Sequence, residues 1–518
     1  MPRVTGLRRR TARALARALT IGASFALSTP ALADGSADDA AQASAGQMPA
    51  AQTSTVETLP AQTKSVAAGS AVPDAKSCDT PVARPAIMFN RWQEDWSVLA
   101  NPCVPKRPFD TFKYMPLFGN PANYVSLGAI LRERVEINDA SLFGAGSQKD
   151  DTYLLQRAEV HADIRFGKTV QIFVQLEDAQ PYGKDNVSPV DKNPLDLRQA
   201  FIAFTEPLDN GTLKLRFGRQ EMAFDLQRFV SVRDGPNVRQ AFDAAWADYE
   251  IGPWRIIGYA TQPVQYRDGE TFDDVSNGHQ TFSGVRVERH DIGPGDLSAY
   301  YSRYNRDNAK FIDAGGNEHR DVFDTRYAGN VNHIDWDIEG MYQSGHVGND
   351  TIGAWAFGTL SGYTLASVPW TPRLGLQVDA ASGDTHPGDG RLGTFNPLFP
   401  NGYYFALAGY TGYTNVVHVK PSLTVKPSKS LSLMAAVGLQ WRQTTGDAVY
   451  AQGSQAVPNT AGHGNLWTGF YTQIRADWIV SANVTTAIEA VHFQVGDTLR
   501  EAGGRNADYV GAEVKFGW

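Results

Sequence analysis

The chain has 518 residues, a length that suits several ordinary globular domains or one large barrel. Its formal net charge of −8 argues against general binding to nucleic acid. Hydrophobic residues make up 42% of the chain and the mean hydropathy is −0.33. This excludes a bundle of membrane-spanning helices, each of which needs about 20 apolar residues in a row.

The first 33 residues have the order of an export signal. A basic stretch precedes an apolar stretch from Ala18 to Leu27, and a small-residue cleavage site follows at Ala31 to Ala33. The basic residues are Arg3, Arg8, Arg9, Arg10, Arg13 and Arg17. We expect cleavage after Ala33, which removes these six arginines and no acid and so changes the formal net charge from −8 to −14.

Residues 34–77 are rich in Ala, Ser, Gln, Thr and Gly. Such a composition cannot bury enough apolar surface to offset the entropy lost on ordering, which predicts a disordered periplasmic linker. Residues 78–120 are instead rich in aromatic residues and proline, and we expect them to cap or enter the end of a barrel. They contain both cysteines, Cys78 and Cys103, which predict one disulfide in an oxidising compartment; two unpaired small core residues are the alternative.

Residues 121–518 repeatedly give segments of about ten residues in which polar and apolar positions alternate, separated by Gly, Asp, Asn and Pro turns. In the first such segment Val125 and Leu127 share one face, whereas Arg132, Arg134 and Glu136 share the other. The last segment ends on the aromatic Trp518, as outer-membrane barrels typically end on an aromatic residue. Several segments, among them Asp196–Phe204 and Thr485–Val495, do not assign their faces clearly.

Charged residues in alternate positions need water or mutual pairing, which favours a wet interior over the dry core of a soluble β-sandwich, the main alternative. In hydrocarbon a sheet must also close on itself. The sequence therefore predicts an all-β protein, a transmembrane antiparallel β-barrel with a polar, water-filled lumen. Counting alternating segments gives about 16 to 18 strands, enough for an aqueous channel.

Several segments taken together resemble the alginate-export family of outer-membrane proteins, over roughly residues 91 to 518. These segments are RWQEDWS at 91–97, FD at 109–110, KYMPL at 113–117, YVSLG at 124–128, LRERVE at 131–136, RAE at 157–159, DLRQAF at 196–201, LRFGRQ at 215–220 and NPLFP at 396–400. The resemblance implies a barrel of about 18 strands. It also implies an electropositive constriction that passes the polyuronate alginate outward, working with periplasmic and inner-membrane export proteins. The stretch before Cys78 is longer than that family pattern leads one to expect.

A polyuronate carries one carboxylate per sugar, and the planar guanidinium of arginine can hold a carboxylate through two hydrogen bonds. We predict a lumen anion track formed by Arg132, Arg134, Arg157, Arg165, Arg216, Arg442 and Arg475. The supporting acids, which pair with these arginines and moderate their affinity so that substrate is released, are Glu136, Glu159, Asp163, Asp335, Asp337 and Glu339. Pairing across strands for structure alone is the alternative for each arginine.

The segment from Arg219 to Arg239 departs from strand alternation. We predict a constriction loop that folds inward or stands at the rim, with an exposed loop as the alternative. Its arginines are Arg219, Arg228, Arg233 and Arg239.

The sequence contains no G-x-S-x-G or H-E-x-x-H motif, so no catalytic residue, metal site or cofactor is predicted, and a barrel hydrolase is the less favoured class. We expect a channel in the outer membrane of a Gram-negative bacterium that passes an anionic polysaccharide. A porin that takes up small anionic solutes or sugar acids is the alternative. The expected partners are such a solute, outer-membrane lipid and periplasmic export proteins, not nucleic acid.

Overall fold

The computed structural model of the chain describes residues 82–145 and 150–518. The predicted signal peptide (residues 1–33), the linker (34–77) and Cys78 lie outside the described residues. The bond expected between Cys78 and Cys103 therefore stays a prediction.

Eighteen antiparallel strands of the described chain form one closed barrel, in which each strand pairs with the next and the last pairs with the first. The strands are β1 (Asn120–Asn138), β2 (Asp151–Phe166), β3 (Val170–Tyr182), β4 (Asn193–Leu208), β5 (Gly211–Gln220), β6 (Phe242–Ile251), β7 (Trp254–Gln265), β8 (Gln280–Ile292), β9 (Gly295–Lys310), β10 (Gly315–Val331), β11 (Ile334–Val347), β12 (Asp350–Thr364), β13 (Arg373–Ala381), β14 (Val416–Ser428), β15 (Leu431–Trp441), β16 (Trp467–Ser481), β17 (Val484–Val495) and β18 (Ala507–Gly517). Closure removes the exposed sheet edges that hydrocarbon cannot satisfy. The prediction of a transmembrane β-barrel is confirmed, and the strand number lies at the upper end of the expected range.

Other regular elements of the described chain are short. Short extra strands are Met115–Leu117, Val275–Ser276 and Arg391–Leu392, each paired with a barrel strand, and Tyr450–Ala451 pairs with Gln455–Ala456 in a separate two-stranded sheet. The α-helices are α1 (Asp110–Lys113) and α2 (Asp497–Glu501), and the 3-10 helices are Arg91–Gln93, Trp96–Ala100, Ser141–Gly144 and Gln452–Ser454. Within the described ranges, no helix has the length and apolar character needed to cross a membrane.

The two ends of the barrel differ in the length of their connections. Turns at the end that carries Trp518 are mostly short, such as residues 167–169 and 252–253. The longest connections lie at the opposite end, at residues 221–241, 382–415 and 442–466. Outer-membrane barrels combine short periplasmic turns with long extracellular loops, so the end near Trp518 is the periplasmic one.

Apolar side chains point outward and charged ones inward, the reverse of a soluble protein. On the outer surface Val160, Ile474 and Ile488 are 51%, 60% and 47% exposed, whereas Arg132 and Glu159 on the inner face are 2% and 1% exposed. A soluble β-sandwich would bury the first group and expose the second. The outer surface is therefore suited to lipid, and the inner face is polar, as alternation predicted.

Two of the long loops fold into the lumen instead of extending into solvent. We call residues 221–241 the first inner loop and residues 382–415 the second inner loop. Their backbones join each other, because Ser231 donates its N–H to the carbonyl of Phe399 at 2.9 Å and Phe399 donates to that of Phe229 at 2.9 Å. Side chains from both loops pack against the inner wall in an aromatic cluster that includes Phe224, Phe229, Phe242, Phe282, Phe395, Phe399 and Tyr413. The alternative of an ordinary exposed loop at 221–241 is thus excluded.

Candidate functional site in the barrel lumen

The first inner loop is tied to the wall formed by β1, β2 and β18. Arg157 of β2 donates from Nη2 to Asp234 Oδ1 at 2.5 Å, and Lys515 of β18 lies 3.4 Å from the other oxygen of Asp234. Arg132 of β1 donates to the backbone carbonyl of Gly235 at 3.3 Å. Burial alone would raise the pKa of Asp234, but these cations hold that pKa well below its ordinary value, so the carboxylate is charged.

The other end of the same loop is tied to the opposite wall. Arg286 of β8 holds Asp225 in a two-pronged contact, with Nη1 2.7 Å from Oδ2 and Nη2 2.6 Å from Oδ1. Arg326 of β10 lies 3.1 Å from Asp225 Oδ1. Because β10 stands opposite β1 in the closed ring, the first inner loop crosses the lumen from wall to wall.

Arg228 makes the central contact of the first inner loop. It is fully buried, and its Nη1 lies 2.6 Å from both Asp337 Oδ1 and Glu339 Oε2 of β11. Its Nε donates to the hydroxyl of Tyr404 in the second inner loop at 2.6 Å, and that hydroxyl donates to Asp379 of β13 at 2.8 Å. One guanidinium therefore joins both inner loops to the wall.

The remaining arginines of the predicted constriction segment have separate roles. Arg239 lies 2.6 Å from Glu221 and 3.3 Å from Glu159, and Arg233 donates to Gln240 at 3.3 Å. The placement of Arg219 in the loop was wrong. Pairing of β5 with β6 continues to Gln220 opposite Phe242, so Arg219 lies on the strand, where it pairs with Asp243 at 2.9 Å.

Predicted track arginines on β1 and β16 join a network of buried carboxylates. Arg134 lies 2.5 Å from Glu136 and 3.3 Å from Glu513, and it also contacts Glu489. Arg475 lies 2.5 Å from Glu489, and Arg132 lies 2.6 Å from Glu513. The guanidinium groups are therefore held in fixed positions by acids of neighbouring strands.

Asp163 and Asp335 are each paired with an arginine, whereas Arg442 is misplaced. Asp163 pairs with Arg165 at 2.9 Å, and Asp335 pairs with Arg373 on the inner face near the periplasmic turns. Arg442 does not belong to the strand face on which alternation placed it. β15 ends at Trp441, and Arg442 donates to backbone carbonyls of the 442–466 loop, including that of Thr460 at 2.5 Å.

The N-terminal segment, residues 82–114, occupies part of the periplasmic mouth. Arg165 of β2 donates from Nη2 to the carbonyls of Trp92 at 2.8 Å and Glu94 at 2.9 Å. Arg91 donates to the carbonyl of Trp518 at 2.6 Å, and its Nε lies 2.6 Å from Glu94. These contacts fix the indole of Trp92 inside the barrel, with its ring 4.4 Å from the guanidinium of Arg216.

Sequence reasoning missed several lumen residues that complete these contacts. Arg286 alternates with the apolar Val285 and Val287 on β8, so extending the same test would have found it. Asp225 lies in an irregular loop, where no periodic signal marks the direction of a side chain.

Two acidic groups in the described ranges have oxygen atoms close enough to share a cation. They are Asp196 with Asp273 and Asp274, and Asp225 with Asp324 and Glu339. In the second group Arg228 already contacts Glu339, and Arg286 and Arg326 contact Asp225. That group is therefore part of the ion-pair network.

Comparisons with known proteins agree with this architecture. The model of the alginate export family matches residues 123–513. No curated protein matches the chain. A BenF-like porin from Pseudomonas fluorescens Pf-5 superposes with a TM-score of 0.53 at 10% identity, covering 76% of this chain and 99% of that one.

Two Pseudomonas aeruginosa structures share the same fold. The OccD3 (OpdP) structure has a TM-score of 0.52 at 11% identity and covers 79% of this chain and 93% of its own. The OccK2 (OpdF) structure in complex with glucuronate has a TM-score of 0.50 at 12% identity and covers 76% and 97%. Because the family model spans most of the chain and the fold is that of outer-membrane porins, the chain belongs to the alginate export family and forms an outer-membrane channel.

Proposed function

We propose that this channel passes an anionic polysaccharide, alginate or a similar polyuronate, through its arginine-lined lumen. The observation that carries the proposal is the two-pronged contact between Arg286 and Asp225, at 2.7 and 2.6 Å. In this contact a wall arginine holds a carboxylate that belongs to a loop. A uronate carboxylate offers the same pair of oxygens, so the lumen already contains the geometry that such a substrate needs.

The acids beside the arginines suit passage better than tight capture. A track guanidinium paired with an acid, such as Arg157 with Asp234, must give up that contact when it binds a uronate, and the wall arginine Arg286 must likewise give up Asp225. The free energy of binding is therefore only the difference between an arginine–uronate contact and the arginine–acid contact that it replaces. The substrate binds weakly enough to leave. Transport and not catalysis is the role we propose for these residues, with periplasmic export proteins as partners.

The family name supports an exported alginate-like substrate, and the glucuronate in the OccK2 complex supports recognition of a sugar acid by a barrel of this fold. A second candidate, a porin for small sugar acids, is favoured by the first inner loop, which crosses the lumen and narrows the path. The two candidates differ in the length of the solute that crosses: an oligouronate enters a polysaccharide channel and blocks its ion current while it passes, whereas a pore for small sugar acids admits only the monomer.

In planar bilayers we expect an anion-selective conductance that oligouronate blocks, with selectivity lowered in Arg134→Ala or Arg157→Ala. Each substitution removes a buried lumen cation: Arg134→Ala takes from Glu136 its ion-pair partner, and Arg157→Ala takes from Asp234 its shortest ion pair. The local potential then becomes more negative and repels anions. The measurement is the reversal potential in a salt gradient, with and without oligouronate.

The matched control is Arg303→Ala, because Arg303 pairs with Asp321 on the outer surface and its side chain is 52% exposed. This variant should keep the native selectivity. Native selectivity in Arg134→Ala and Arg157→Ala, together with no block by oligouronate, would remove the arginine track from the mechanism.

A further inference from the structure

Arg216 of β5 differs from the other buried arginines of the barrel strands. In the described chain Arg132, Arg157, Arg286 and Arg320 each have a carboxylate oxygen within 4.0 Å. Arg216 has no carboxylate oxygen within that distance in the described residues, and it is also buried, with only 9% of its surface exposed. Its Nε and Nη1 are buried without any hydrogen-bond partner in the described residues.

The acid that would compensate Arg216 is already engaged elsewhere. Asp248 lies on the neighbouring strand β6, and Arg255 of β7 holds it with contacts of 3.0 and 2.7 Å. A buried guanidinium without a partner is costly, and such a group is retained where a ligand supplies the missing acceptors. The unpartnered N–H groups of Arg216 therefore point to an anionic ligand.

Aromatic rings surround this guanidinium. Its carbon lies 4.4 Å from the ring centre of Trp92, 5.2 Å from that of Phe201 and 5.6 Å from that of Trp246. Phe201 and Trp246 come from the strands on either side of β5, whereas Trp92 comes from the N-terminal segment. The rings exclude water from the cation, which strengthens its attraction to an anion, and they offer apolar surface to the C–H face of a sugar.

We propose that Arg216 and Trp92 form a subsite that binds one uronate residue, with the carboxylate accepting hydrogen bonds from the guanidinium of Arg216 and the sugar ring against the aromatic side chains. The subsite rests on the proposed function and adds to it a single place where the sugar acid is recognised. Arg216 on the barrel wall supplies the positive charge, and Trp92 in the N-terminal segment supplies an aromatic ring. Binding therefore requires both the wall and the N-terminal segment to be in place.

The test is calorimetric titration of the detergent-solubilised full chain with glucuronate, glucose and acetate. We expect the native chain to bind glucuronate more tightly than acetate and to show no binding of glucose. Arg216→Lys keeps the positive charge but loses the planar fork, and should weaken glucuronate binding by about tenfold or more. Trp92→Ala should weaken glucuronate more than acetate, and Trp92→Phe should restore part of the loss.

Arg303→Lys is the matched control, since it makes the same replacement on the outer surface and should leave glucuronate binding unchanged. Heat-modifiable migration of each variant shows that the barrel has folded. Equal glucuronate affinity in the native chain, Arg216→Lys and Trp92→Ala would overturn the subsite, as would acetate binding as tightly as glucuronate.

A different result would contradict the proposed function itself. A native channel without anion selectivity and without block by oligouronate would overturn that function. Retained selectivity and block, with unchanged affinity in Arg216→Lys, would overturn the subsite alone.

Discussion

Replacing residues 224–238 with a short Gly-Ser turn is expected to raise single-channel conductance several-fold. This part of the first inner loop crosses the lumen, where Asp234 contacts Arg157 on one wall and Asp225 contacts Arg286 on the other. Ion flow through a pore is limited by its narrowest part, so removing the crossing segment widens the path. Conductance in planar bilayers measures the effect directly.

The replacement leaves the barrel wall intact, because the pairing of β5 with β6 begins at Gln220 and Phe242, outside the removed segment. A matched control removes residues 268–272, which belong to the largely exposed connection between β7 and β8. This control should conduct like the native chain. Native conductance in the 224–238 variant would show that the first inner loop does not limit the pore.

The strands were predictable from sequence wherever the two faces of the sheet meet different surroundings. Lipid outside and charge inside impose a period of two, and on β1 the buried Arg132, Arg134 and Glu136 alternate with less buried residues, which are apolar except for Glu133. This signal is local, and so it survives without knowledge of the partner strands.

In the 196–204 segment the alternation of inward and outward side chains is interrupted by a β-bulge. Gln175 pairs with Gln199 and the next residue, Leu176, pairs with Leu197, so Arg198 is inserted between two paired positions. Burial accordingly falls on both Arg198 and Gln199. An extra residue exchanges the inner and outer faces of a strand, and sequence periodicity then reports neither face correctly.

In the 485–495 segment the ordinary polarity is reversed near the extracellular end. Val491 and Phe493 point inward, where they join the cluster formed with Tyr410 of the second inner loop, and His492 points outward and pairs with Asp508. The loops determine this reversal, and they are remote in sequence. A pattern within one strand therefore cannot reveal it.

The lumen contacts were the least predictable part of the site. Alternation placed Asp337 and Glu339 on the inner face, but their partner Arg228 lies in an irregular loop, 109 positions before Asp337. Periodicity assigns the face of a strand and gives no information about which loop reaches that face. Such pairings follow only from the closed ring and the course of the loops through it.

Replacing Arg228 with Gln is expected to destabilise the folded barrel with its inner loops in the lumen by about 3 to 5 kcal/mol. This is the usual cost of removing one partner from a buried ion pair. Arg228 is fully buried, and its loss leaves Asp337 and Glu339 without their shared contact at 2.6 Å. We expect a lower thermal unfolding temperature by circular dichroism in detergent. Faster proteolysis within residues 221–241 should accompany it, because the loop loses its central attachment.

The double variant Arg228→Gln/Glu339→Gln separates charge from attachment. Arg228 is the ion-pair partner of Glu339 in the described chain, so neutralising Glu339 removes an uncompensated carboxylate and should recover part of the thermal stability. It does not restore the two-sided contact of Arg228 with Asp337 and Tyr404, and proteolysis should stay fast. Arg303→Gln, which breaks an exposed pair worth about 0 to 1 kcal/mol, should change neither measurement. Native stability and native protease resistance in Arg228→Gln would mean that the inner loops are held by their aromatic packing and not by this guanidinium.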